Sequence, residues 1–271
     1  MGEFFNITRG EISVQFTEIK AKDNARIKRL FKLQKSSRFR NEEACFVLEG
    51  LRTIDDASDN GIVLSELYFT ASAYEKHPSD IKKFAQNAKF CAVISDFVAK
   101  SISDTVTTQG IFAVAELPKA ETKILRDKKY IALENLQDPS NLGAIARTAE
   151  ALGIDGIVMS ADSCDPFSPK SLRASMGTLL RLPVIITENM TEFIKNCGVN
   201  TFACVAHGNA EALSSVSFNG GCICVIGNEA NGITKETIEV CTKSITIPMK
   251  GRAESLNAAA AASIVMWEMV K

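Results

Sequence analysis

The sequence predicts an α/β protein in two parts, a smaller N-terminal α/β domain and a larger C-terminal domain built on a mostly parallel sheet. Three observations predict it. Short apolar runs alternate with helix-period segments along most of the chain. A polar, charged stretch from Pro118 to Lys129 carries no core pattern and divides the alternation in two. In the second part strands are separated by helices, which implies a mostly parallel sheet covered on both faces. The expected boundaries are 1–117, a linker over 118–128, and 129–271.

The first twenty-two residues read as irregular, an extension or an edge strand. Asn24 can cap a helix running to about Ser36, with Ile27, Leu30, Phe31 and Gln34 forming one buried stripe at i, i+3, i+4, i+7. Strands are expected at Cys45–Leu48, Leu64–Thr70, Cys91–Ile94 and Ile111–Ala115. Helices are expected at Thr53–Ser58, Ser79–Ala88 and Asp96–Lys100. The second part opens with a strand at Tyr130–Leu133 and a helix over Ser140–Leu152, whose start suits Pro139 and Ser140. Further strands follow at Gly156–Met159, Pro183–Thr187, Thr201–Ala206, Cys222–Ile226 and Ser244–Pro248. Helical segments lie around Pro169–Leu180, Thr191–Cys197 and Thr234–Cys241, and a closing helix spans about Ser255 to Val270.

Composition bounds the function. With 271 residues and 46% hydrophobic content, the chain can bury a sizeable core. No apolar run is long enough to span a bilayer, so no membrane association is expected. The opening Met-Gly-Glu-Phe-Phe-Asn matches neither a secretory signal nor an Arg-rich transit peptide, and a cytoplasmic location is expected. None of the eight cysteines forms a C-x-x-C pair, and most sit in apolar runs; they read as reduced, buried small hydrophobes. Only His77 and His207 are available as imidazole ligands, neither at ligand spacing, so no metal is expected.

The net charge of −1 is uninformative, but its distribution is not. From Lys20 to Arg40 there are nine basic residues and one acid, Asp23; the segment is +8 and the remainder −9. Such polarity suggests one surface for a polyanion. Arg26, Lys28, Arg29, Lys32, Lys35, Arg38 and Arg40 are the candidate RNA contacts, against the plainer reading of a solvated helix face.

Three loops after strands of the second part carry the candidate chemistry, since α/β sheets place ligands at strand carboxyl ends. The first runs from Glu134 to Gly143 and leads into Arg147, which lies off the apolar stripe of Leu142, Ile145, Ala146, Ala149 and Leu152. Taken singly, Arg147 reads as an exposed helix arginine and Asn141 as a capping residue. The second is Gly227-Asn228-Glu229-Ala230-Asn231-Gly232, which is not G-x-G-x-x-G and gives little support to a dinucleotide site. The third runs from Ile247 to Asn257 into an alanine-rich helix, with Ser255 as its plausible cap.

Together, Asn141…Arg147, Gly227-Asn228-Glu229, Ile247-Pro248-Met249 and Ser255-Leu256-Asn257 resemble the three motifs of the SpoU (TrmH) family of RNA ribose methyltransferases. The likeness covers residues 129–271, and Ser171–Gly177 with Arg181–Val184 also resembles that family. Upstream, Arg26–Gly50 and Ile111–Pro118 look like the smaller substrate-binding domain that many members carry. Ala230 departs from the pattern, standing where the family more often has glycine.

The resemblance implies a deep trefoil knot, a homodimer with the active site at the subunit interface, and S-adenosylmethionine as cofactor. Periodicity could not have shown a knot, because knots are close to absent from proteins. Carried over by motif, Gly227, Ile247, Met249 and Leu256 contact the cofactor, with Ala206 a weaker candidate. Arg147, Asn141, Glu229, Ser255 and Asn257 form the catalytic set. The implied reaction moves a methyl group to a ribose 2′-hydroxyl, with large-subunit ribosomal RNA favoured over transfer RNA. A guanidinium stays protonated, so Arg147 suits a stabiliser of the developing alkoxide better than a general base. Three alternatives remain open: an RNA-binding protein that lost catalysis, a dinucleotide-dependent enzyme, and a drug-resistance methyltransferase.

Overall fold

A computed structural model describes residues 4–7, 14–119 and 123–271. The readings for 1–3 and 8–13, and for residues 120–122 of the linker, lie outside the described residues. The chain divides into two compact units, one of residues 1–118 with 167–169, the other of residues 119–166 with 170–271.

The first unit is built on a six-stranded sheet of β1 (Phe4–Ile7), β2 (Val14–Ile19), β3 (Cys45–Glu49), β4 (Leu64–Phe69), β5 (Phe90–Ile94) and β6 (Ile111–Glu116), in the order β1-β2-β5-β4-β6-β3. Its helices are α1 (Ala25–Lys35), α2 (Ser37–Glu43), α3 (Leu51–Asp59), α4 (Ala71–Lys76), α5 (Pro78–Asn87) and α6 (Asp96–Ile102). Of the opening stretch, expected to be irregular, an extension or an edge strand, Phe4–Ile7 is an edge strand and Val14–Ile19 is the next strand in, paired in parallel with β5. The two short helices α2 and α4 have no clear period in the sequence; each begins at a hydroxyl cap, Ser36 and Thr70.

The helix at α1 forms as expected, with the Asn24 side chain accepting from the Arg26 amide at 2.9 Å. Its buried stripe is Ile27, Leu30, Leu33 and Gln34, whereas Phe31 is 48% exposed. Leu33 rather than Phe31 faces the core, where it joins Val47, Tyr68, Ile94, Val98 and Phe112. A helix stripe is wider than one four-residue template, and the sheet selects which edge of it is covered.

The second unit carries seven strands: β7 (Lys129–Leu133), β8 (Gly156–Ser160), β9 (Val184–Thr187), β10 (Asn200–Cys204), β11 (Glu211–Ala212), β12 (Cys222–Ile226) and β13 (Lys243–Thr246). They lie in the order β11-β13-β10-β12-β7-β8-β9, and every pairing is parallel. Its helices are α7 (Pro139–Leu152), α8 (Pro169–Ala174), α9 (Met190–Asn196), α10 (Lys235–Val240) and α11 (Ala258–Val270). β8 and β12 are buried at every position, as a parallel sheet covered on both faces requires.

On one face α9 and α10 cover Tyr130, Val158, Ile223 and Val225. On the other α7 and α11 pack together. Gly143 lets α7 pass close to α8: a Cβ there would come within 3.0 Å of the Ala174 backbone. The closing helix starts at Ala258, three residues later than expected, and its cap is Asn257 rather than Ser255. Asn257 Oδ1 accepts from the amides of Ala259 at 2.9 Å and Ala260 at 3.3 Å. Likewise Asp138 caps α7, accepting from the Ser140 amide at 2.9 Å. All eight cysteines are free; only Cys45, Cys222 and Cys224 are fully buried, so the burial expected of the others is partial. Among the described residues, no helix is long and apolar enough to cross a membrane.

Candidate active site

Three chain segments of the second unit meet at the carboxyl ends of its strands and enclose a cavity of about 440 Å³. Residues 204–207 follow β10, residues 226–233 follow β12, and residues 247–261 follow β13. All five expected cofactor contacts line it: Ala206, Gly227, Ile247, Met249 and Leu256. Of the expected catalytic set, Glu229 and Ser255 line it as well.

The Gly227 turn is tight. Asn228 and Gly232 form an isolated antiparallel bridge, with amide-to-carbonyl distances of 3.0 and 2.9 Å. A Cβ on Gly227 would fall within 3.0 Å of Gly232 and Ile233 backbone atoms, so only glycine fits. Asn228 closes the turn, its Oδ1 accepting from the amides of Ala230 at 2.8 Å and Asn231 at 3.1 Å. Ala230 does not adopt positive φ, which explains why alanine is accepted where glycine is more usual.

Behind this turn runs a side-chain relay. Asn257 Nδ2 donates to Asn141 Oδ1 at 3.0 Å, and Asn141 Nδ2 donates to Glu229 Oε1 at 2.8 Å. Glu229 Oε2 accepts from the Gln137 amide at 3.4 Å. Burial by itself would push the Glu229 carboxyl up, but hydrogen bonds from Asn141 and from the backbone at Glu229, Gln137 and Asp138 bring it below its usual range. The loops that carry Asn141, Glu229 and Asn257 are thus linked, Asn141 bonding the carboxylate directly and Asn257 reaching it through Asn141.

Arg147 stands apart. It is exposed on α7, does not line the cavity, and has no ion-pair or hydrogen-bond partner among the described residues. A neighbour, Thr148, meets Ser263 of α11 at 3.3 Å. The exposed residues of α11 on its outer face include Ile264 and Trp267, the latter 58% exposed.

Sequence reasoning missed Glu134. It is 4% exposed and accepts from the Thr234 amide at 2.8 Å, the Thr234 hydroxyl at 2.9 Å and the Thr237 hydroxyl at 2.6 Å. It thereby fixes the far end of the Gly227 loop. The available signal was an acid set directly after an apolar strand, a placement that requires bonded partners.

The basic segment is largely neutralised from elsewhere. Arg26 and Arg29 reach Glu66 at 3.0 and 3.3 Å, Arg29 also meets Glu43 at 2.9 Å, Arg38 meets Glu42 at 2.7 Å, and Lys35 meets Asp104 at 3.4 Å. Arg40 is not a phosphate contact: it is 3% exposed and donates to the carbonyls of Leu33 and Gln34 at the end of α1. Those carbonyls are unpaired helix-end acceptors, which a buried guanidinium suits well. Lys28 and Lys32 remain exposed.

The second unit is thus a fully parallel sheet with a cavity at its strand ends, and a further α/β unit precedes it in the chain. The chain belongs to the SpoU rRNA Methylase family, whose model matches residues 128–267. A second model, the MRM3-like substrate binding domain, matches residues 24–113. The chain is 28% identical over 258 residues to the 23S rRNA (guanosine(2553)-2′-O)-methyltransferase RlmP of Bacillus subtilis, covering 93% of this chain and 98% of that one. It is similar to an AdoMet-bound rRNA methyltransferase from Sinorhizobium meliloti, with TM-score 0.82 and 26% identity over 94% of this chain and 97% of that chain. The fold is shared with the SpoU methyltransferase AviRb of Streptomyces viridochromogenes, at TM-score 0.82 and 24% identity over 91% and 97% of the two chains.

Proposed function

We propose that the protein transfers a methyl group from S-adenosylmethionine to a ribose 2′-hydroxyl of large-subunit ribosomal RNA. The observation that carries this is the single cavity that gathers Ala206, Gly227, Ile247, Met249 and Leu256 from three separate loops. Its volume of about 440 Å³ lies within the range usual for small-molecule sites, roughly 300–1,000 Å³. Ile247, Met249 and Leu256 offer an apolar wall for a purine, while Glu229, Ser255 and the loop backbone offer polar partners for ribose and amino-acid groups. The cofactor supplies a methyl group already activated by a sulfonium centre.

What remains for the chain is placement and charge. Asn141, Glu229 and Asn257 hold the loops in register. Ser255 is a candidate donor to the substrate at the cavity mouth. Arg147, permanently protonated, steadies the oxygen as its proton leaves. Because Arg147 does not line the cavity of its own chain, its role calls for a second subunit. Ile264 and Trp267, exposed on the helix packed beside the Arg147 helix, supply an apolar stripe for such a homodimer.

The trefoil knot belongs to the same proposal. Supporting it is a chain that leaves the 226–233 loop, forms α10 and β13, and returns through 247–257 to the same cavity. Residues 1–117 serve as the RNA-binding domain, 118–128 as linker and 129–271 as the methyltransferase domain, acting in the cytoplasm. The test is incubation with labelled S-adenosylmethionine and unmodified total RNA, followed by mapping of the 2′-O-methyl position. Absence of ribose methylation on every RNA fraction would refute the proposal.

A further inference from the structure

Besides Lys28 and Lys32 on α1, the first unit leaves Lys76 and Lys100 without an ion pair among the described residues, at one edge of its sheet. β2 and β4 run parallel to β5, and β3 and β4 are each antiparallel to β6, so β2, β3, β4 and β5 all end on that edge. A cleft of about 430 Å³ opens there, lined in part by Lys76, Lys100, Thr108 and Gln109. Lys76 and Lys100 are exposed and have no ion-pair or hydrogen-bond partner among the described residues. The acid in the lining, Asp96, meets the Ser72 hydroxyl at 3.5 Å.

Beside Lys100, three residues earlier on α6, stands Phe97, 64% exposed. The Lys22 ammonium sits 4.0 Å from its ring centroid and covers one face of the ring. An exposed aromatic ring with a lysine over one face has little value to the core. It is what unpaired nucleotides use, a base stacking on the ring while neighbouring phosphates meet the cations.

The edge is held in shape. Glu49, at the end of β3, accepts from the Ser103 hydroxyl at 2.6 Å, the Asp104 amide at 3.0 Å and the Thr105 hydroxyl at 3.0 Å. Gln109 Oε1 accepts from the Leu51 amide at 2.8 Å, which fixes the Gln109 side chain and turns its amide NH₂ into a placed donor. Ser95, the cap of α6, donates its amide to the Ile19 carbonyl at 3.3 Å and so ties the end of β2 to that of β5.

We infer that this edge binds an unpaired segment of the substrate RNA, with one base on Phe97 and adjacent phosphates on Lys22, Lys76 and Lys100. The inference rests on the RNA methyltransferase reading and deepens it by placing the RNA contact on a surface other than α1.

The test uses the full chain and an unmodified large-subunit ribosomal RNA transcript. Phe97→Ala is expected to weaken binding between about five- and 150-fold, the usual loss for one stacked base. The double variant Lys76→Glu/Lys100→Glu should also flatten the slope of log affinity against log salt by about 1.4, two single-strand phosphate contacts. S-adenosylmethionine binding, measured by calorimetry, should be unchanged in both, since the altered side chains are exposed and in the other unit. Photo-crosslinks from 4-thiouridine in the transcript should map to residues 70–110. Wild-type affinity and salt slope in these variants, or crosslinks confined to α1, would overturn the inference while leaving methyl transfer intact. Loss of binding only to protein-containing ribosomal particles would assign the edge to a protein and overturn it too. A wild-type chain that neither binds the transcript nor modifies it would strike the underlying reading itself.

Discussion

Asn257 donates its side-chain amide to Asn141 Oδ1 at 3.0 Å while its own Oδ1 caps α11. One residue therefore both starts the last helix and anchors the carboxylate relay behind the cavity. The two duties separate by substitution. Asn257→Asp keeps the capping oxygen but loses the donor to Asn141, so thermal stability should stay near wild type while methyl transfer falls. Asn257→Ala loses both, and a further cost of about 0.5–2 kcal/mol should appear in denaturant melts. Equal transfer rates for Asn257→Asp and wild type would show the bond to be incidental.

Glu229 sets a pH dependence whose sign follows from its direction. Its folded carboxyl is held below the unfolded value, so its contribution is complete above the ordinary carboxylate range and fades as pH drops through the lower folded value. The native state should lose stability on acidification, and Glu229→Gln should lose less of it over the same range. Urea midpoints taken at about pH 7 and about pH 3.5 test this. Asp138 and Glu150 are shifted in the same direction, so the variant removes only part of the slope.

Gly227→Ala forces a methyl group against the Gly232 and Ile233 backbone. It should cost about 1–3 kcal/mol in melts and weaken S-adenosylmethionine binding measured by calorimetry. Gly251→Ala is the matched control, because nothing lies within 4 Å of an added Cβ there. If both variants bind the cofactor like wild type, the 227 loop is not part of its site.

Arg147→Ala should leave stability within about 0.5 kcal/mol, as expected for an exposed side chain without partners among the described residues. Methyl transfer should drop by about 100-fold or more, the usual effect of deleting one stabilising donor. Cofactor binding should not change. Mixing Arg147→Ala subunits with Gly227→Ala subunits should restore part of the activity if the arginine serves the partner's cavity. No recovery in mixtures shown to exchange subunits would place Arg147 outside an intersubunit site.

The elements were legible because period and punctuation carry them. Cys222–Ile226 is the same strand in sequence and structure, and Asn24 caps α1 as its position before the stripe implies. Boundaries moved where a side chain competed: Asp138 and Asn257, not Ser140 and Ser255, begin α7 and α11. α2 and α4 escaped notice because each holds a single large apolar or aromatic residue, Phe39 and Tyr74, too few to mark a buried face.

Apart from short elements such as α2, α4 and β11, the succession of strands, helices and three strand-end loops was determined by the sequence alone, since each is written in neighbouring residues. So were Gly227, Glu229, Ile247, Met249, Ser255 and Leu256 of the cavity lining, through their motif. Only the tertiary structure decided which charges stay available. It buried Arg40 against α1 carbonyls, paired Arg26 and Arg29 with Glu66, and left Lys76 and Lys100 without a partner among the described residues. It likewise made Glu134 an anchor for Thr234 and Thr237. The physical reason is common to all of these. An ion pair or buried hydrogen bond depends on distance in space: partners forty or a hundred positions apart leave no local pattern to read, and Arg40 meets its nearby carbonyls only once the chain turns between α1 and α2.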